Sequence, residues 1–102
     1  MADITWIDQG ITFACDEIKN IQNLRKHRIA LREASTIFFD HMAHLRYDRG
    51  HSEDEDRFCL TGRTADGRLL FVAFTQRGND VRIISARRAT KQEVKYYEFQ
   101  GT

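Results

Sequence analysis

Apolar residues change their spacing once along this chain, near Ala43, and the change divides it into a helical part and a stranded part. Ile18, Ile21 and Leu24 recur at helical spacing while Lys19, Asn23 and Lys26 lie on another face. Residues 16–27 therefore read as an amphipathic helix that packs its apolar face, with Asp16 as N-cap. A second helix is expected over residues 31–39, where Leu31, Ala34 and Phe38 line up and Asp40 ends it. Its start is weak, because Ala30 stands where Ser or Thr would cap. Beyond Ala43 the period is two: Leu45 and Tyr47, Phe58 and Leu60, Leu70, Val72 and Phe74, then Val81, Ile83 and Ser85. These read as four strands, the third apolar on both faces and hence central. Asp66-Gly67 and residues 77–80 make hairpin connections, which predicts a largely antiparallel sheet. Thr90-Lys91-Gln92-Glu93 is a capping box opening a last helix to about Phe99. With a short strand at residues 11–14, the fold class is α+β: strand, two helices, about four antiparallel strands, C-terminal helix.

At 102 residues, 41% hydrophobic and 30% charged, the composition suits one domain with one core. No apolar run approaches the roughly 20 residues of a membrane span, and MADITWID lacks a secretion-signal pattern. A soluble, cytoplasmic protein is expected. Cys15 and Cys59 belong to no metal-like pair and read as buried free thiols. The net charge of +1 hides an asymmetry: residues 1–66 carry nine basic and twelve acidic side chains, residues 67–102 seven and three. Five of those seven cations are arginine, the better partner for a phosphate.

Four groups of side chains bear on function. His41, His44 and His51 stand near Asp40, Asp48 and Asp54, but at no recognised metal spacing, so they read as solvated loop residues and no metal or cofactor is implied. Glu53-Asp54-Glu55-Asp56 reads as a solvated acidic loop that would repel phosphate. Ser52, Ser85, Cys15 and Cys59 lie in no nucleophile motif, and no glycine-rich nucleotide loop occurs. The fourth group is cationic: Arg63, Arg68, Arg77, Arg82, Arg87 and Arg88, joined by Lys26, His27, Lys91, Lys95, Tyr96 and Tyr97. It reads either as a phosphate-binding surface or as arginines paired with Asp66, Asp80 or Glu93. Strict alternation places Arg82 and Arg88 on one sheet face and Arg87 on the other, so that at most one of Arg82 and Arg87 can sit at a reaction centre.

Phe13-Ala14-Cys15-Asp16, Lys19-Asn20, Asn23-Leu24-Arg25-Lys26-His27, Glu33-Ala34 and Phe38-Phe39-Asp40 are followed by His51-Ser52-Glu53, Arg57-Phe58, Gly62-Arg63-Thr64 and Gly67-Arg68-Leu69-Leu70. The series ends with residues 82–89 (RIISARRA), Glu93 and Tyr96-Tyr97. Over residues 12–98 this series resembles the BrnT-type ribonuclease toxins. The resemblance divides the chain into an extension, residues 1–11, and a single toxin domain, residues 12–102. It implies a RelE-like fold, a bacterial RNA-cleaving toxin that inhibits translation, and a small BrnA-type antitoxin with a ribbon-helix-helix domain as partner. Three positions depart from the pattern: Cys15 where the family has tryptophan, Arg28 where it has glycine, and Ala30 near a Ser or Asp cap.

RNA carries its own nucleophile in the 2′-hydroxyl, so such an enzyme needs alignment and charge stabilisation rather than a metal. Arg68, Arg82 and Arg87 are the expected phosphate contacts, and Lys26 and His27 come next, with His27 suited to proton transfer. Arg63, Arg88, Tyr96 and Tyr97 are expected to bind RNA, one of the two tyrosines instead packing in the core. The other reading is a non-catalytic module that docks an antitoxin or nucleic acid.

Overall fold

The first strand lies in the segment read as an extension. In the computed structural model, which describes residues 2–99, β1 (Asp3–Asp8) forms a hairpin with β2 (Ile11–Asp16). Alternation in DITWID turns Ile4 and Trp6 to one side, and Gln9 and Gly10 carry the positive φ values (47° and 82°) of a tight hairpin turn. Trp6 is buried, stacks on its cross-strand partner Phe13 with ring centroids 5.7 Å apart, and donates from Nε1 to Ser35 Oγ at 3.1 Å.

Asp16 caps α1 (Glu17–His27) as expected, its Oδ1 accepting from the N–H groups of Ile18 (2.8 Å) and Lys19 (3.1 Å). The apolar stripe of α1 corrects the periodicity reading, because Ile18, Ile21 and Leu24 are exposed. The helix docks instead through amides. Asn23, the buried residue of the helix, donates from Nδ2 to Ile29 O (2.9 Å) and accepts at Oδ1 from Ala86 N (3.0 Å). Asn20 Oδ1 accepts from Leu31 N at 2.9 Å. These amides meet backbone groups that would otherwise be buried without partners. Arg28 ends α1 at φ +61°, a left-handed conformation natural to glycine.

The second helix is shorter than expected. α2 (Leu31–Ala34) gives way to a 3-10 segment, Ser35–Phe39. Ala30 makes no side-chain cap, and Glu33 Oε1 accepts from Ala30 N at 2.8 Å.

Next come β3 (His44–Tyr47), a 3-10 turn at Arg49–His51, β4 (Arg57–Arg63), β5 (Leu69–Arg77), β6 (Asp80–Arg88) and α3 (Lys91–Phe99). The capping box forms, Thr90 Oγ1 accepting from Glu93 N (3.2 Å) and Glu93 Oε1 from Thr90 N (2.8 Å). The six strands make one mixed sheet in the order β1-β2-β6-β5-β4-β3. The expected four-stranded antiparallel sheet is thus its β3–β6 half, and β2 joins it by parallel pairing of residues 12–14 with 80–82. Phe13, Leu31, Ile37, Leu70, Val72 and Ile83 fill the core between one sheet face and the helices after β2. Gly62 lets the 3-10 segment approach closely: a Cβ there would lie 3.1 Å from Ala43 Cβ and 3.3 Å from Ile37 Cβ.

A bulge in β6 corrects the expected facing of the arginines. Phe74 pairs with Ile83 but Ala73 pairs with Ser85, so Ile84 is extra and the alternation changes phase. Arg82 and Arg87 consequently lie on the same face of the sheet, paired with Thr75 and Phe71.

Candidate nucleic-acid groove

Directly paired residues share a face, so the registers lay out the sheet surface opposite the core in three cross-strand rows. One is His44, Thr61, Phe71, Arg87; the next Arg46, Cys59, Ala73, Ser85; the third Arg57, Thr75, Arg82. The small side chains of the middle row form a floor between larger ones. The result is a groove of about 720 Å³ over Cys59, Phe71, Ala73 and Ser85, walled by Arg46, Arg57 and Glu93 and by the segment from Tyr47 to His51.

That segment is held in place by its own hydrogen bonds. Ser52 Oγ donates to Asp48 O (2.5 Å) and accepts from Arg57 N (3.0 Å). Asp48 in turn faces His51, whose Nδ1 lies 3.1 Å from Oδ2 and 3.2 Å from Oδ1. A carboxylate on Nδ1 fixes the ring and leaves Nε2 for exchange with a ligand. Arg46, Arg49 and Arg57 line the groove, and among the described residues none of them is in an ion pair.

The arginines singled out from sequence are committed elsewhere. Arg68 bonds Asp66 through Nε (3.1 Å) and Glu33 through a terminal nitrogen (3.2 Å) at the β4–β5 turn. Arg77 pairs with Glu55 (2.8 Å) and Arg82 with Asp3 (2.7 Å). Arg87 is bidentate to Glu93 (2.8 and 2.9 Å), its guanidinium carbon 4.1 Å from the Phe71 ring centroid. Burial pushes the Glu93 carboxyl up, but Arg87 and the Thr90 N–H outweigh it and hold the group below its usual range. Arg68, Arg82 and Arg87 therefore sit in ion pairs at three separate places, of which only that of Arg87 borders the groove.

Lys26 and His27 stand at the C-terminal end of α1, on the element that packs against the other side of the sheet, Lys26 exposed and His27 half-buried. Arg63 lies against Tyr97, its guanidinium carbon 5.5 Å from the ring centroid. Tyr97 is buried and donates to Asp40 Oδ2 at 2.7 Å. Burial raises the Asp40 carboxyl, yet the N–H groups of Arg63 and Met42 and the Tyr97 hydroxyl bring it below the ordinary value. Tyr96 is exposed, 5.5 Å from the His44 ring, and Arg88 is exposed at the end of β6.

Sequence reasoning did not single out Arg46, Arg49 and Arg57, and it considered Asp48 and His51 only as metal ligands, reading them as solvated loop residues. The signal present in the sequence is the pair of segments His51-Ser52-Glu53 and Arg57-Phe58, which belong to the family resemblance, and the place of Arg46 and Arg57 beside strand residues. Among the described residues no three His, Cys, Asp or Glu side chains converge as metal ligands, and no helix is long and apolar enough to cross a membrane. Both cysteines are free and buried, as expected.

A family model described as the ribonuclease toxin BrnT of a type II toxin-antitoxin system matches residues 15–93. The chain belongs to the BrnT family. Its fold is similar to the crystal structure of the Brucella abortus ribonuclease toxin BrnT, with a TM-score of 0.60 and 21% identity over 76% of this chain and 94% of that one. None of the curated proteins compared by sequence matches it. The BrnT match begins within β2, so β1, with the Asp3 that pairs with Arg82, lies outside the matched residues.

Proposed function

We propose that the groove binds single-stranded RNA and cleaves it by attack of the 2′-oxygen on the adjacent phosphorus, without a metal ion. The observation that carries this reading is that three arginines, in no ion pair among the described residues, line one groove together with the His51–Asp48 pair. Membership in a family of ribonuclease toxins agrees with it. In the step, His51 Nε2 takes the proton of the 2′-hydroxyl as the O2′–P bond forms and the P–O5′ bond breaks. The departing O5′ takes a proton from solvent, leaving a 2′,3′-cyclic phosphate and a 5′-hydroxyl. Arg46 and Arg49 neutralise charge on the non-bridging oxygens, where positioned donors act most strongly on a transition state. Arg87 stands at the rim, stacked on Phe71. Arg68 and Arg82 serve the fold through their ion pairs in this reading.

Cleavage of messenger RNA would inhibit translation, and a protein antitoxin, of BrnA ribbon-helix-helix type by the family resemblance, would neutralise the toxin. The test is cleavage of a labelled single-stranded RNA in EDTA, with end-group analysis. His51→Ala should lower the rate by about 10²- to 10⁴-fold, the usual weight of a general base, with an unchanged circular dichroism spectrum. Loss of cleavage on chelation, or full activity of both His51→Ala and Arg46→Ala, overturns the assignment. RNA binding without cleavage by the wild type would make the chain a binding module.

A further inference from the structure

Beside the groove lies a second recess of about 340 Å³, which shares Gly50, His51 and Arg57 with it. Its other walls are acidic, Glu53, Asp54 and Glu55, and Thr75 lines it as well. Glu55 is held by both Nε and a terminal nitrogen of Arg77, at 2.8 and 3.1 Å. Glu53 and Asp54 remain, and among the described residues neither is hydrogen-bonded or ion-paired. Thr75 is 3% exposed, and its Oγ1 is, among the described residues, the one buried side-chain polar atom without a hydrogen-bond partner. A buried hydroxyl left unpaired is destabilising, and a ligand that supplies the partner recovers the loss.

We propose that this recess is a guanine-reading subsite, which selects the nucleotide beside the cleaved phosphate. The proposal rests on the reading of the groove as an RNA site and adds its specificity. Carboxylates accept hydrogen bonds and do not donate, so the acidic wall repels phosphate and attracts a base edge with two adjacent N–H donors. Guanine offers that pair in N1–H and N2–H. Adenine and cytosine place a ring acceptor beside their amine, and uracil flanks its single N–H with two carbonyls. Arg57 completes the match, because guanidinium groups bond the O6 and N7 of guanine. A base held between Glu53 or Asp54 and Arg57 lies next to the groove that Arg46 and Arg49 line, because the two recesses share Gly50, His51 and Arg57. Unstacked bases of single-stranded RNA are read on these edges.

The experiment measures cleavage of uridine-rich oligonucleotides carrying one guanosine, or at the same place inosine or adenosine. Inosine lacks only the N2 amine. The wild type should cut beside guanosine about tenfold faster or more than beside inosine or adenosine, the discrimination of one bidentate contact. The ratio should fall toward one in Glu53→Gln/Asp54→Asn. Thr75→Val should also lower the ratio while its melting temperature stays the same or rises, which a purely structural role would not produce. Equal cleavage beside guanosine, inosine and adenosine by the wild type, or an undiminished ratio in the double variant, overturns the subsite and leaves the groove assignment standing. Absence of any cleavage by the wild type overturns both.

Discussion

Asp3 grips Arg82 across the intervening strand β2, with its two carboxylate oxygens 2.7 and 2.9 Å from the two terminal guanidinium nitrogens. Arg82 belongs to the segment shared with the BrnT family, and Asp3 to a strand that lies outside the match. The ion pair thus fastens a strand that lies outside the matched residues to a side chain within them.

Arg82 chiefly lowers the Asp3 carboxyl, through its hydrogen bond, from the ordinary value of 3.8. A lowered carboxyl contributes stability above its unfolded pKa and loses it as pH falls through the folded value. NMR titration should find Asp3 below 3.8 in the wild type and back near it in Arg82→Ala. An unchanged Asp3 titration in the variant would mean that the contact is not populated in solution.

Arg28→Gly should stabilise the protein. Arg28 sits at φ +61°, where a side chain costs about 1–2 kcal/mol that glycine does not incur. In a domain of this size about 1 kcal/mol moves the melting temperature by about 4–8 °C. Calorimetry of the two proteins measures it, and a lower melting temperature in the variant would contradict the account.

Asn23→Leu should destabilise strongly even though it makes a helix residue more apolar. It leaves Ile29 O and Ala86 N buried without the partners they have at 2.9 and 3.0 Å. Each orphaned group costs about 1–3 kcal/mol, so urea denaturation should show a loss of about 2–6 kcal/mol for the two. Ile21→Gln, on the exposed stripe of the same helix, should change stability by less than about 0.5 kcal/mol.

Glu93→Gln should lower the melting temperature at neutral pH, because it breaks the bidentate pair to Arg87. The folded carboxyl lies below its ordinary value of 4.5, so its stabilisation is present above that pH and fades as pH falls through the folded value. The wild type and the Glu93→Gln variant should therefore converge in melting temperature as the solution is acidified below about 4.5. A difference that persists undiminished at low pH would point to packing rather than charge.

Signals confined to a few neighbouring residues were legible in the sequence. The Asp16 cap, the Thr90–Glu93 box and the strands β3 to β6 each follow from residues within one turn or one hairpin. What escaped depends on residues far apart. The parallel pairing of β2 with β6 leaves no mark at either strand alone, and the extra residue Ile84 reverses the facing of Arg87 without altering the apolar pattern around it. Periodicity misplaced the docking face of α1 because Asn20 and Asn23 bond backbone there, a role that hydrophobicity does not register. In the groove the difficulty was one of matching. Arg82 and Arg57 look alike in a sequence, and only the fold brings Asp3 to one and leaves the other, among the described residues, outside an ion pair.

The parallel seam also sets an order of assembly. Residues 12–14 find their parallel strand partner only at residues 80–82, so during synthesis from the N-terminus the β1–β2 hairpin waits for β6 to emerge. Meanwhile Trp6 and Phe13, which end in the core, have no sheet to close against. Pairings this distant are slow to form, since the entropy of closing the loop is lost before any contact offsets it. The edge that β2 closes is therefore built from the two ends of the fold, and docking of the N-terminal hairpin depends on β6 being in place.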